Sequence, residues 1–162
     1  MSVLPSVVSA ALGARVVGFS GSRSLVPSVL SVCVSALRGG SVFVGCARGV
    51  DSVVRSAFPA ARVFRVLGRR SPSAFALRSV RFVAALASAG GVLFSFPGRP
   101  CPVGLAPSAS SPACFCGSGS GSWASLAFAL GSGVPCFVWL PGSVSPPASF
   151  GLRSVGGGWW VS

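Results

Sequence analysis

Eight amino acids are absent from the 162 residues: Lys, Glu, Asn, Gln, His, Tyr, Thr and Ile. Acid is nearly absent as well, because Asp51 is the only side-chain carboxylate. Each missing residue has adenine in all of its codons, whereas every residue present except Met and Asp has a codon without it. The start codon accounts for Met1, which leaves Asp51 as the one exception to a strong bias and marks it as needed. An adenine-directed nuclease or mutator, a deliberately reduced alphabet, or a chance open frame would each produce the bias. The last would not produce the ordered motifs described below. Without His, the common mixed Cys/His zinc sites are excluded, and the six cysteines contain no CxxC pair. No metal, cofactor or disulfide is implied. Cys33, Cys46 and Cys136 lie in apolar runs and read as core residues. Cys114 and Cys116 flank Phe115 in a loop where a thiol could react. The cysteine pattern points to a reducing, cytoplasmic location.

Long hydrophobic runs are also lacking. Mean hydropathy is +0.79, yet Gly, Pro, Ser and Arg interrupt every apolar stretch. The longest, 75–96, carries Arg78, Arg81 and a Gly90-Gly91 break, so no segment reads as a membrane span. The N-terminus lacks the basic flank of a signal peptide. Half the residues are apolar, as expected of a parallel sheet buried on both faces.

Arginine provides nearly all the charge. Thirteen arginines against one aspartate give a net charge of +12. Such a balance attracts nucleic acid or small anions, although arginine is also the only strongly hydrophilic side chain that this alphabet allows.

Five Val- and Phe-rich runs predict strands over 15–19, 41–45, 62–67, 91–96 and 135–140. Helices are predicted between them, over 27–37, 52–58, 75–88 and 123–131. The alternation predicts an α/β, Rossmann-like three-layer fold with a mainly parallel sheet of five or more strands. The domain is expected to span 1–140, with a long Gly/Pro/Ser loop at 98–121. An extended tail is expected over 141–162, in which Trp159 and Trp160 add an edge strand or cover an apolar patch.

Three glycine turns follow strands or open helices: "GFSGSRS", "GCARGVD" and "GSGSGSW". Small residues admit close backbone approach, and helix N-termini offer free N–H groups to anions. All three turns should fall at the carboxyl edge of the sheet, where open parallel sheets bind ligands.

The segments "VVGFSGSRS", "VFVGCARGVDSVVRSA", "ALRSVRFVAAL", "VLFSFPG" and "GSGSWASLAFALGSGVPCFVW" stand in an order that resembles the SLOG superfamily. That superfamily groups Smf/DprA DNA-processing proteins with lonely-guy-like Rossmann proteins, and the chain looks most like its YspA-like branch. The resemblance covers about 15–140 and implies nucleotide-type ligands. It implies a first phosphate-facing turn at Gly21, Ser22 and Arg23, and a second motif at Gly45, Ala47, Arg48, Gly49 and Asp51. Arg78-Ser79 stands for an R-N pair, and Gly121-Ser122 for a G-T pair. Pro97, Gly98 and Gly119 complete the expected ligand-binding set. Ser125 occupies the position of the catalytic Glu of the lonely-guy phosphoribohydrolases, which argues against that hydrolysis.

The expected partner is therefore a nucleotide-like small molecule. A single-stranded nucleic acid on a surface of Arg62, Arg65, Arg69, Arg70, Arg78 and Arg81 is the alternative. Asp51 reads either as a helix cap or as a carboxylate that receives a ligand hydroxyl or orients Arg23 or Arg48. Trp123 reads either as a stacking platform for a base or as a side chain packed on its own helix. A homo-oligomer is expected, with Val80, Phe82, Val83 and Leu86 of the 75–88 helix at its interface.

Overall fold

The computed structural model describes residues 3–117 and 119–162. Strand β1 (Val16–Gly21) is followed by β2 (Ser41–Gly45), β3 (Arg62–Phe64), β4 (Val92–Phe96) and β5 (Cys136–Trp139). These five strands run parallel in the order β3-β2-β1-β4-β5. The order reverses after β3, when the chain crosses to the other side of β1. The crevice between the ends of β1 and β4 is thus the topological switch point of the sheet.

Helices cover both faces and make a three-layer α/β, Rossmann-like fold. Helices α1 (Ser6–Ala11), α2 (Val29–Ala36) and α3 (Val50–Ala57) pack on the face presented by Val17, Phe19, Val42, Val44, Phe94 and Phe96. Helix α4 (Pro72–Ser88), the short α5 (Ser111–Cys114) and α6 (Gly121–Gly131) cover the face of Val16, Phe43 and Leu93. Alternate residues of each strand point into the two clusters, so the central strands are apolar almost throughout. No helix among the described residues is long and apolar enough to cross a membrane.

Several boundaries differ from the sequence reading. Helix α4 starts at Pro72 rather than 75, because Ser71 accepts the Ala74 N–H at 3.1 Å and Pro72 fits the first turn. Helix α3 starts at Val50 rather than 52, which puts Asp51 in its first turn. Strand β3 ends at Phe64 instead of reaching 67, because the chain leaves the sheet edge there, and Leu67 lies exposed.

The 75–88 helix was expected to offer Phe82, Val83 and Leu86 to a second subunit. Their side chains instead fill the core beneath α4, each at most 2 % exposed, and Val80 packs against the same cluster. Outward-facing positions on the helix carry Leu77 and Arg81.

The segment after β5 folds onto the sheet. A 3₁₀ turn (Ala148–Phe150) leads into β6 (Arg153–Gly156) and β7 (Trp159–Val161), and β7 pairs antiparallel with β5. The sheet thereby reaches seven strands among the described residues, with β3 and β6 at its edges. A register shift between Ser154 and Gly156 interrupts the β6–β7 pairing. Trp159 is 1 % exposed and meets Phe94 and Phe96 edge-on at 5.9 and 5.8 Å. Trp159→Ala is expected to cost about 3–5 kcal/mol of unfolding free energy. Urea unfolding checks this, and a loss below about 1 kcal/mol would mean that the hairpin is not part of the core.

Candidate functional site

A cavity of about 940 Å³ opens at the switch point, at the upper end of the size range of small-molecule sites. The end of β1 and its turn supply Ser20, Gly21, Ser22 and Arg23; the β2–α3 turn supplies Ala47 and Asp51. The start of α4 supplies Arg70, Ser71, Phe75 and Arg78. Gly98 and Arg99 follow β4, and Gly119, Gly121, Ser122 and Ser125 surround the start of α6. The three glycine turns, remote in sequence, thus share one cavity.

Asp51 and Arg78 join two sides of it. Arg78 Nη1 donates to Asp51 Oδ2 at 3.3 Å, and the Ala47 N–H donates to the same oxygen at 3.1 Å. Both side chains are nearly buried. The carboxylate therefore grips a guanidinium from α4 and the turn that precedes its own helix. Gly49, not Asp51, occupies the N-cap position, and the cation beside Asp51 is Arg78 instead of the expected Arg23 or Arg48. Arg55 completes the turn, donating from Nη1 to the carbonyls of Gly45 and Ala47 at 2.9 and 2.7 Å.

Two glycines make the arrangement sterically possible. A Cβ on Gly45 would land on the Arg78 guanidinium. Gly49 has φ of +75° and lies against the backbone of Ser22 and Arg23, where a side chain would collide. Its neighbour Val50 donates its N–H to the Ser22 carbonyl at 3.0 Å, joining the first two motif turns.

Phe75 collects the cations. The Arg23 guanidinium lies 4.3 Å from the ring centroid, that of Arg78 at 5.7 Å and that of Arg70 at 5.9 Å. The π-face attracts each of them. Of these three, Arg78 alone has a carboxylate partner among the described residues. Helices α4 and α6 both start at the cavity wall, and neither has an acidic residue in its first turn. The site is therefore electropositive from both side chains and backbone.

Ten of the fourteen expected site residues line the cavity: Gly21, Ser22, Arg23, Ala47, Asp51, Arg78, Gly98, Gly119, Gly121 and Ser122. The other four do not. Gly45 lies beneath Arg78 and Gly49 supports the first turn, while Arg48 points to solvent and Pro97 is buried. Trp123 cannot stack on a base as it stands, being fully buried. Its indole N–H donates to the Arg99 carbonyl at 2.7 Å, and its ring meets Phe150 edge-on. Ser125 Oγ donates back to the Gly121 carbonyl at 2.8 Å. Cys114 is buried, and desolvation raises its pKa, which disfavours a reactive thiolate. Burial likewise pushes the Cys33 thiol up to about 12. Among the described residues no cluster of three or more His, Cys, Asp or Glu could hold a metal.

The sequence does not point to Arg55, Phe75 or Arg99, and it suggests Arg70 only for the alternative nucleic-acid surface. Ser71-Pro72 was the available signal for the last, since that pair marks the start of α4 and puts Arg70 at its mouth. Nothing matches the chain among protein-family models, curated proteins or solved structures.

Burial raises the pKa of Asp51 above its ordinary 3.8, and Arg78, the Ala47 N–H and Arg55 offset part of the rise. The folded carboxyl thus takes its proton at a higher pH than the unfolded one. Stability from this group is greatest in acid and falls as pH rises from about 3.8 through the folded value. With no Glu and no His, Asp51 is the only carboxylic or imidazole side chain in the sequence. Thermal melts over that range should show this decline in the native protein and a flatter profile in Asp51→Asn. A native profile that rises with pH would contradict the assignment. Gly45→Ala should displace Arg78 and cost about 2 kcal/mol or more. Chemical denaturation checks it.

Proposed function

We propose that the switch-point cavity binds a nucleotide or a nucleotide-derived ligand, in the manner that the SLOG resemblance implies. One observation carries this reading: three Gly/Ser turns and two helix N-termini converge on a single cavity whose free charge is cationic. Phosphate groups suit backbone N–H donors, serine hydroxyls and guanidinium forks together. The apolar lining from Phe19, Phe82, Phe115 and Ala124 suits a base.

Arginine placement favours a small ligand over a nucleic-acid strand. Arg23, Arg70, Arg78 and Arg99 gather at the carboxyl ends of the strands. Several others are engaged elsewhere. Arg62 stacks on Phe43 and Phe64, Arg81 donates to the Arg65 carbonyl, and Arg38 donates to the Ser9 carbonyl. Binding is also favoured over phosphoribohydrolase chemistry. Ser125 offers no carboxylate where that reaction uses one, and Asp51 is committed to Arg78 and Ala47.

Thermal-shift measurements with the common nucleoside 5′-phosphates test the reading. A nucleotide at 100 times its Kd should stabilise the fold by about 2.7 kcal/mol. Arg23→Ala should weaken binding about tenfold with little change in the melting temperature of the free protein. Arg48→Ala, outside the cavity, should bind normally. No stabilisation by any nucleotide would sink the proposal.

A further inference from the structure

We infer that the cavity selects ligands with two or more linked phosphates, and that it holds them without a bridging divalent cation. This rests on the nucleotide reading above and specifies the ligand within it. Charge counting leads there. Four arginines line the cavity against one carboxylate, so the lining carries 4 − 1 = +3. Arg78 pairs with Asp51 at 3.3 Å, which leaves Arg23, Arg70 and Arg99 without a carboxylate among the described residues. Arg23 and Arg70 approach the same Phe75 ring, so two like charges are held close together. A single phosphate, with two negative charges at most, does not balance three guanidinium groups. A diphosphate or triphosphate does.

The donor set argues against a divalent cation anchored by the protein. Nucleotide sites that use magnesium commonly anchor it through one or two carboxylates as well as the phosphates. Asp51 is the only carboxylate side chain in the chain, and its Oδ2 already accepts from Arg78 and Ala47. An incoming cation there would displace Arg78 or be repelled by it. The arginines thus supply the neutralisation that magnesium supplies elsewhere. A magnesium-complexed phosphate chain would arrive with its charge already reduced and would gain less from them.

Calorimetric titrations with adenosine, AMP, ADP, ATP and inorganic triphosphate, repeated with the guanine series, test this. Each runs in excess magnesium and in a chelator. Expected is at least a tenfold gain in affinity from mono- to diphosphate, weaker or unchanged binding in magnesium, and steep loss with added salt. Arg70→Ala and Arg99→Ala change exposed side chains, so they should fold normally and shrink the mono-to-diphosphate gain. Equal affinity for mono- and triphosphates would overturn the inference and leave the nucleotide reading intact. Tighter binding in magnesium would overturn the cation-free part. Inorganic triphosphate binding as tightly as the nucleoside triphosphates would uphold the charge argument and overturn the nucleotide reading. No binding by any of the compounds would overturn both.

Discussion

A guanidinium that crosses the end of β2 to reach a buried carboxylate holds this site together. The Arg78–Asp51 pair joins α4 to the β2–α3 turn across the crevice, and the rest of the cavity depends on that link. Gly45 must lack a side chain to let the guanidinium through. Arg55 must hold the turn's carbonyls so that Ala47 can present its N–H to the carboxylate. Phe75, one helical turn before Arg78, then carries Arg23 and Arg70 on its ring. A buried ion pair is a poor source of net stability, because desolvation consumes most of the Coulomb attraction. Removing the acceptor, however, leaves the Arg78 and Ala47 donors buried and unpaired. This asymmetry explains why serine, freely available in this alphabet and a good helix cap, does not stand at position 51. A serine side chain ends one bond short of the Oδ2 that accepts from both.

The strand pattern was legible because parallel strands buried on both faces are apolar without alternation. Residues 16–19, 42–44 and 93–96 read as strands and are strands, since the composition of a buried parallel strand leaves little ambiguity. Strand β3 was overextended because Val66 and Leu67 look like strand residues, but the chain turns away at the sheet edge toward α4. The β6–β7 hairpin was less legible, because three glycines precede Trp159 and no alternating pattern announces β6. At the site, the local motifs were readable and the pairing across them was not. Arg78 lies 27 residues from Asp51 in sequence, and only the packing of α4 over β2 brings them together. Trp123 was ambiguous for a similar reason. A tryptophan after a glycine turn could face either way, and the small residues around it in α6 let it turn inward against Phe150.

A chain with half its residues apolar and a seven-stranded sheet is exposed to one hazard that the core does not address. Open sheet edges carry unpaired N–H and C=O groups that can recruit strands from other molecules. Both edges here are short and irregular. Strand β3 has three residues, with the exposed side chains of Arg62 and Arg65 at its ends. Strand β6 has four residues, begins with Arg153 and is broken by a register shift before Gly156. A neighbouring molecule would meet positive charge on one side and a kinked ladder on the other. Two copies approaching edge to edge would each bring arginine against arginine. The charge excess that makes the cavity electropositive thus also discourages these sheets from joining into fibres.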